Sequence, residues 1–187
     1  VTSTGNLFRV VGTPSTIVSN PVVSLHPTNP LAQGLVRLDD HLWAAWLPPQ
    51  EQSTTAEQLV VFDPTSSDKP RWLKLDDVVT AQPAVFRKHL LAPCRLGQLR
   101  VINPQTGAAA LEPFQPKLES GAQYAWSAPV VVADRDIVIS DGRTRLYPIG
   151  VKEQPKPHLA ALAAAPLAPP HRHPLVVAGD NVSPAPH

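Results

Sequence analysis

The sequence predicts an all-β chain built from repeated short-stranded units, and three observations predict it. The first is a leucine followed by alternating residues and a turn. It reads Gly5-Asn6-Leu7-Phe8-Arg9-Val10, then Gln58-Leu59-Val60-Val61-Phe62-Asp63-Pro64, then Gly97-Gln98-Leu99-Arg100-Val101-Ile102-Asn103-Pro104, and more loosely Thr144-Arg145-Leu146-Tyr147-Pro148-Ile149-Gly150. Leu7, Leu59, Leu99 and Leu146 stand 52, 40 and 47 residues apart. The second is a proline before apolar, mostly β-branched residues: Pro21-Val22-Val23, Pro83-Ala84-Val85-Phe86, Pro129-Val130-Val131-Val132 and Pro174-Leu175-Val176-Val177. Those prolines are 62, 46 and 45 residues apart and alternate with the leucines in constant order. Proline is tolerated at the first residue of a strand, and β-branched residues suit a pleated surface. The third is composition: 23 prolines in 187 residues, over twice ordinary usage, which disfavours long helices. A unit of roughly 40–50 residues with several short strands is the mark of a β-propeller. The expected architecture is a β-propeller or part of one, with about four four-stranded blades of roughly 45 residues.

The elements follow in order along a single partial propeller spanning 1–187. Residues 1–18 read as the end of a blade, with Gly5 to Val10 in a third-strand position. Residues 19–80 read as a blade opening at Pro21 and carrying insertions, Ser24 to Gly34 and Pro48 to Glu57. Both insertions are rich in turn formers and read as loops. Residues 81–127 read as the best-formed blade. Its strands are Ala84 to His89, Leu90 to Leu96, Leu99 to Asn103 and Ala109 to Phe114. Asn103-Pro104-Gln105-Thr106-Gly107 closes the third strand: Asn caps the turn, Pro presets φ and Gly takes a positive φ. Residues 128–172 repeat the scheme with Val130 to Val132, Ile137 to Ser140, Arg145 to Ile149 and a fourth strand. Ser140-Asp141-Gly142-Arg143 is a hairpin signal. His158 to Ala165 carries five alanines and Leu159 and Leu162. A short helix fits it, but an irregular fourth strand or linker fits better between Pro157 and Pro166. Residues 173–187 read as the start of a further blade.

Leu99 to Gly107 resembles the quinoprotein-type propeller repeat, in which a short strand ends in Asp/Asn-Pro-x-Thr-Gly and a later aromatic closes the blade. Phe62-Asp63-Pro64-Thr65-Ser66 with Trp72 fits the same frame, Ser66 standing where glycine is usual. The Gly-His and Trp-Asp dipeptides of WD-type propellers do not occur. The resemblance implies a rigid disk whose faces and rim dock other proteins. Its enzymatic members bring an adjacent cysteine pair, a tryptophan under the cofactor and a calcium set. This chain has one cysteine and no such set, so no cofactor is expected.

Composition removes other classes. Lys+Arg is 16 and Asp+Glu 15, which makes no electrostatic case for nucleic acid or an anionic membrane. No run of 18 apolar residues exists to span a bilayer. Cys94 has no cysteine to pair with and reads as a buried small hydrophobe. Glycines never form Gly-x-Gly-x-x-Gly, and no Gly-x-Ser-x-Gly elbow is present. Units that open within a third-strand motif and close after a first-strand motif, in a chain without methionine, are expected to belong to a longer polypeptide or to be completed by a partner chain.

The candidate residues are few. His171 and His173 stand two apart, so on a strand they face one side as a metal pair would. No nearby cysteine or carboxylate completes a tetrahedral set, so the expectation is no metal. Asp39-Asp40 and Asp76-Asp77 are adjacent acids that a strand would turn to opposite faces, which suits turn capping better than acid–base work. Arg135 and Arg143 alternate with Asp134, Asp136 and Asp141 as neutralised hairpin tips. Trp43 and Trp46 fall on opposite faces of a strand, and with Trp72 and Trp126 they read as inter-blade packing rather than a ligand platform. Insertions on a rigid repeat often carry binding. The partner-binding candidates are therefore His26 and Asn29 in the first long loop and Gln50 and Gln52 in the second.

The function expected is a non-catalytic binding or scaffold module that engages other proteins through its loops. Two other classes stay open: a fragment of a quinone- or haem-linked oxidoreductase with its catalytic residues elsewhere, and an extracytoplasmic sensor domain of a signalling protein. Relatives of the repeat are often exported, so a periplasmic or otherwise exported setting is the compartment expected.

Overall fold

The structure, a computed structural model, describes residues 6–13, 16–24, 34–48, 58–66, 68–116, 125–132, 135–143, 145–162, 165–166, 175–178 and 181–184. Every regular element among them is a strand. β1 (Asn6–Thr13) and β2 (Thr16–Ser24) form an antiparallel hairpin. β3 (Gly34–Arg37), β4 (Trp43–Trp46), β5 (Leu59–Phe62) and β6 (Arg71–Trp72) form a four-stranded meander. β7 (Ala84–Phe86), β8 (His89–Pro93) and β9 (Leu99–Ile102) form a three-stranded one. β10 (Val130–Val132), β11 (Asp136–Ser140), β12 (Arg145–Lys152) and β13 (His158–Ala161) form the next, and β14 (Ala165–Pro166) returns to β12. β15 (Leu175–Ala178) and β16 (Asn181–Pro184) form a last hairpin. The first strands lie side by side, β3 beside β7, β7 beside β10 and β10 beside β15.

Alternation of side chains across each strand explains how the sheets stack. In β4 and β5, Ala44, Trp46, Leu59 and Val61 enter one apolar cluster. Their neighbours Ala45, Leu47, Val60 and Phe62 enter another. Successive side chains point to opposite faces, so both faces of this sheet are covered and the run Leu59-Val60-Val61-Phe62 is buried throughout. The next sheet divides the same way. Leu90, Ala92 and Ile102 join the first cluster, while Leu91, Leu99 and Val101 pack against Ile137, Ile139, Tyr147 and Ile149 of the third sheet. The middle sheet is therefore held between its neighbours on both faces. Trp43 and Trp46 fall on opposite faces as expected, Trp46 buried in the first cluster and Trp43 beside Trp72 at the other. Trp126 is buried edge-on to Tyr147 at 5.5 Å.

Three features differ from the sequence-based expectation. Pro21 lies inside β2 opposite Phe8, where the register shifts, and the four-stranded sheet opens instead at Gly34. Counted from there, the first strands begin at Gly34, Ala84, Val130 and Leu175, which are 50, 46 and 45 residues apart. Ala109 to Phe114 is not a continuous fourth strand. It meets β9 through isolated bridges at Ala109 and Phe114 and a 2.8 Å bond from Ala110 N–H to Val101 O. Between them the chain leaves the ladder at Pro113, which has no N–H to give, and Glu112 bonds across to Pro157 and Leu159 of the next sheet.

The third difference is β12, longer than expected because it runs on to Lys152. Its outer partner is one strand broken in two, β13 and β14. The break faces Pro148, whose carbonyl accepts a 2.8 Å bond from Leu162 N–H. In an antiparallel strand a residue's N–H and C=O face the same side, so this proline offers no donor where the outer strand would need one. The segment from His158 is thus the irregular strand that its sequence favoured over a helix.

Candidate functional site

The turns that could meet a partner are set by the strand order. The β8–β9 turn, Cys94 to Gln98, is braced by Cys94 N–H on Gln98 O at 2.8 Å and Gly97 N–H on Cys94 O at 3.0 Å. Gly97 takes φ 82° there, a conformation glycine adopts without cost. Leu96 sits at the tip with 63% of its surface exposed. Its backbone is tied on both sides: the N–H donates to Asp77 Oδ2 at 3.3 Å, and the carbonyl accepts from Gln115 Nε2 at 3.5 Å. An apolar side chain is thereby held out on a fixed turn rather than a loose one.

The same end of the neighbouring sheets is brought level with this turn by the segments that enter each new sheet. Thr80 N–H donates to Pro93 O at 2.9 Å and Arg95 N–H to Val78 O at 2.8 Å. In the third sheet Ser127 N–H donates to Ser140 O at 3.0 Å. On the first sheet, Gln58 fills the corresponding place. Its buried amide donates to Val79 O at 3.0 Å and accepts from Val79 N–H at 2.8 Å. Leu47 N–H donates to Gln58 O at 2.8 Å, closing this end of the first sheet.

Two cavities lie against these sheets. One of about 400 Å3 lies among the first strands, between Leu35, Arg37, Gln82, Pro83 and Pro129. Leu35 is 45% exposed within it. The proline markers Pro83 and Pro129 thus line the space that the first strands surround. The second, about 230 Å3, is a cleft between the first two sheets lined by Lys74, Asp76, Asp77, Cys94 and Arg100.

The ionisable groups of the second cleft are engaged with the chain itself. Arg100 bonds Asp76 and also donates to Gln98 Oε1 at 2.8 Å. That guanidinium bond holds the Asp76 carboxyl below its ordinary value. Asp77 accepts from Val78 N–H at 2.7 Å as well as from Leu96. Burial, and next the negative charge of Asp77, push the Cys94 thiol up to about 12. A thiol so placed stays protonated and is a poor nucleophile.

Asp39 caps its turn by accepting from His41 N–H at 2.8 Å and Leu42 N–H at 2.7 Å, which lowers its pKa. Asp40 instead pairs with Arg37 at 2.7 Å. Neither adjacent acid pair forms a carboxylate dyad. Among the described residues no group of three or more His, Cys, Asp or Glu could hold a metal ion. The described residues contain no helix long and apolar enough to cross a membrane.

His26, Asn29, Gln50, Gln52, His171 and His173 all lie outside the described residues. Sequence reading missed Leu96 and Gln58. Leu96 did carry a signal, an apolar residue caught between Arg95 and Gly97 in a turn. Gln58 carried none, because its partner is 21 residues away.

The chain matches no protein-family profile, and no curated protein matches it. Among solved structures, BamB from Moraxella catarrhalis, a β-propeller, superposes with a TM-score of 0.57 at 11% identity. The match covers 95% of this chain and 48% of that one, so the chain spans about half the length of BamB. At this identity the likeness shows the fold alone. The chain is an all-β protein with the architecture of a β-propeller or part of one.

Proposed function

We propose that the chain is a non-catalytic β-propeller module that engages other proteins through the turns at one end of its sheets. The observation that carries this reading is Leu96, 63% exposed on a turn whose backbone is bonded to Asp77 and Gln115. Ordered apolar side chains at a surface are what a protein partner can bury without first ordering a loop. Leu35, exposed at the space between the first strands, is a second apolar side chain open to a partner. The likeness to BamB supports a propeller framework for such docking. The candidates His26, Asn29, Gln50 and Gln52 join the proposal as residues of long connections that flank the same sheets.

A photoreactive residue placed at 96 in cells tests the reading, with one at the exposed Lys156 of the β12–β13 turn as control. Position 96 should cross-link to a discrete protein and position 156 should not. Leu96→Asp should then weaken binding of that protein by roughly tenfold or more, with the fold intact by circular dichroism. Equal labelling at both positions sinks the proposal.

A further inference from the structure

The two ends of the sheets differ in what their arginines meet. The turns β3–β4, β7–β8 and β10–β11 join first strands to second strands and share one end. The arginines there face carboxylates. Arg37 lies 2.7 Å from Asp40, Arg87 3.9 Å from Glu153 and Arg135 3.6 Å from Asp136. The turns β8–β9 and β11–β12 join second strands to third strands and share the other end, the one that carries Leu96. Arg95 and Arg143 stand exposed on these two turns. Among the described residues neither guanidinium has a carboxylate within ion-pair distance.

The carboxylates set in and beside these turns are engaged elsewhere. Asp77 and Asp141 are each only 8% exposed. Asp77 accepts from Leu96 N–H, and Asp141 Oδ1 accepts from Arg143 N–H at 2.9 Å and Arg145 N–H at 3.1 Å. Asp76 bonds Arg100. The acids therefore brace the turn backbones and leave two cations facing outward. Both turns are fixed: Leu96 is bonded through Asp77 and Gln115, and Gly142 N–H donates to Ser140 Oγ at 3.1 Å. Cations on a fixed frame meet a carboxylate with little ordering cost, and arginine pairs with carboxylates through two parallel bonds. An anionic lipid surface draws clusters of roughly four to eight basic residues, more than these turns carry.

We infer that this end receives a carboxylate-bearing segment of a partner protein, an apolar side chain resting on Leu96 and acidic side chains on Arg95 and Arg143. The inference rests on the docking through Leu96 proposed above and adds the chemistry of the partner.

The protein captured through position 96 is purified, and its association with the intact chain is followed by surface plasmon resonance. Raising sodium chloride from about 50 to about 500 mM should slow association. Arg95→Glu and Arg143→Glu should each slow it by roughly threefold or more, and together by roughly tenfold, with dissociation changing less. Arg95→Lys should keep most of the rate, and Arg135→Glu at the opposite end should leave it unchanged. Circular dichroism should be the same for all, because neither Arg95 nor Arg143 has a side-chain bond to lose. A photoreactive residue at 143 should capture the same protein, and changing the acids of the captured segment to lysine should restore binding to the Arg95→Glu chain.

A captured protein indifferent to salt and to both reversals overturns this inference and leaves docking through Leu96 standing. Capture of no protein at 96 overturns both. Binding of the chain to vesicles of equal phosphatidylglycerol and phosphatidylcholine, lost in Arg95→Glu, overturns it in favour of a lipid surface. A cross-link from 143 back into the chain itself also overturns it, since an acid of the chain then holds that cation.

Discussion

Gln58 shows how one side chain joins two sheets. Its amide offers one donor and one acceptor to the backbone of Val79, as a neighbouring strand would. The contact is buried, so water cannot replace it. Gln58→Ala leaves both Val79 groups unpaired and should cost about 2–3 kcal/mol, read from urea unfolding. Gln58→Glu keeps the acceptor and loses the donor, and adds a buried charge, so it should be no better than alanine. Cys94 lies beside this junction, bridged to Val79. Its sequence neighbours Leu91, Ala92 and Pro93 already marked it as buried, which the structure shows it to be, although β8 ends one residue before it.

At the scale of the element, turns carry the distinction between tolerated and required glycine. Gly107 and Gly142 both have positive φ, 76° and 70°. A Cβ on Gly107 would meet Lys74 O at an ordinary 3.7 Å, whereas one on Gly142 would collide with the carbonyl oxygen of Ala125. Gly107→Ala should therefore cost about 1 kcal/mol from backbone strain alone. Gly142→Ala should cost about 2 kcal/mol or more, because the segment entering the third sheet must also move. Thermal melting of the two variants side by side reads the difference. Arg87 and Lys88, in the β7–β8 turn, hold φ of 50° and 63° without being glycine. Arg87 lies 5.3 Å above the Phe86 ring and 3.9 Å from Glu153, contacts that offset part of the strain there.

The whole molecule should lose stability in acid. Asp39, Asp63 and Asp76 all have carboxyls below the ordinary 3.8. The causes are backbone N–H bonds from His41 and Leu42 at Asp39, the Thr65 hydroxyl and N–H at Asp63, and Arg100 at Asp76. Each group binds a proton more readily unfolded than folded. Their contribution is complete above the unfolded value and is lost as pH falls through the lower folded values. Urea midpoints measured from neutral pH down to about 3 should be level at first and fall below about 4. Asp76→Asn should flatten part of that fall. All three carboxyls face solvent, so the slope should be shallow and should shrink further in high salt.

Much of the local structure was determined by the sequence itself. The turn from Asn103 to Gly107 and the hairpin at Asp141 and Gly142 were legible because proline fixes φ, glycine accepts the positive φ that turns need, and Asn and Asp side chains cap their own turns. The opposite facing of Trp43 and Trp46 was legible because strand alternation is local. The stack of sheets followed from continuous apolar runs such as Leu59 to Phe62, which are stable only when both faces are covered.

What tertiary structure decided was pairing. Pro21 carries the same local signal as Pro83, yet lies in β2, because the first strand of a sheet is chosen by what it packs against. Ala109 to Phe114 could not be judged as a strand without knowing that Glu112 bonds to the next sheet. The exposure of Leu96 and the bridging role of Gln58 depend on residues far away in the chain. Backbone preference acts over a few residues, whereas ladder pairing and burial are settled between segments that only the folded chain brings together.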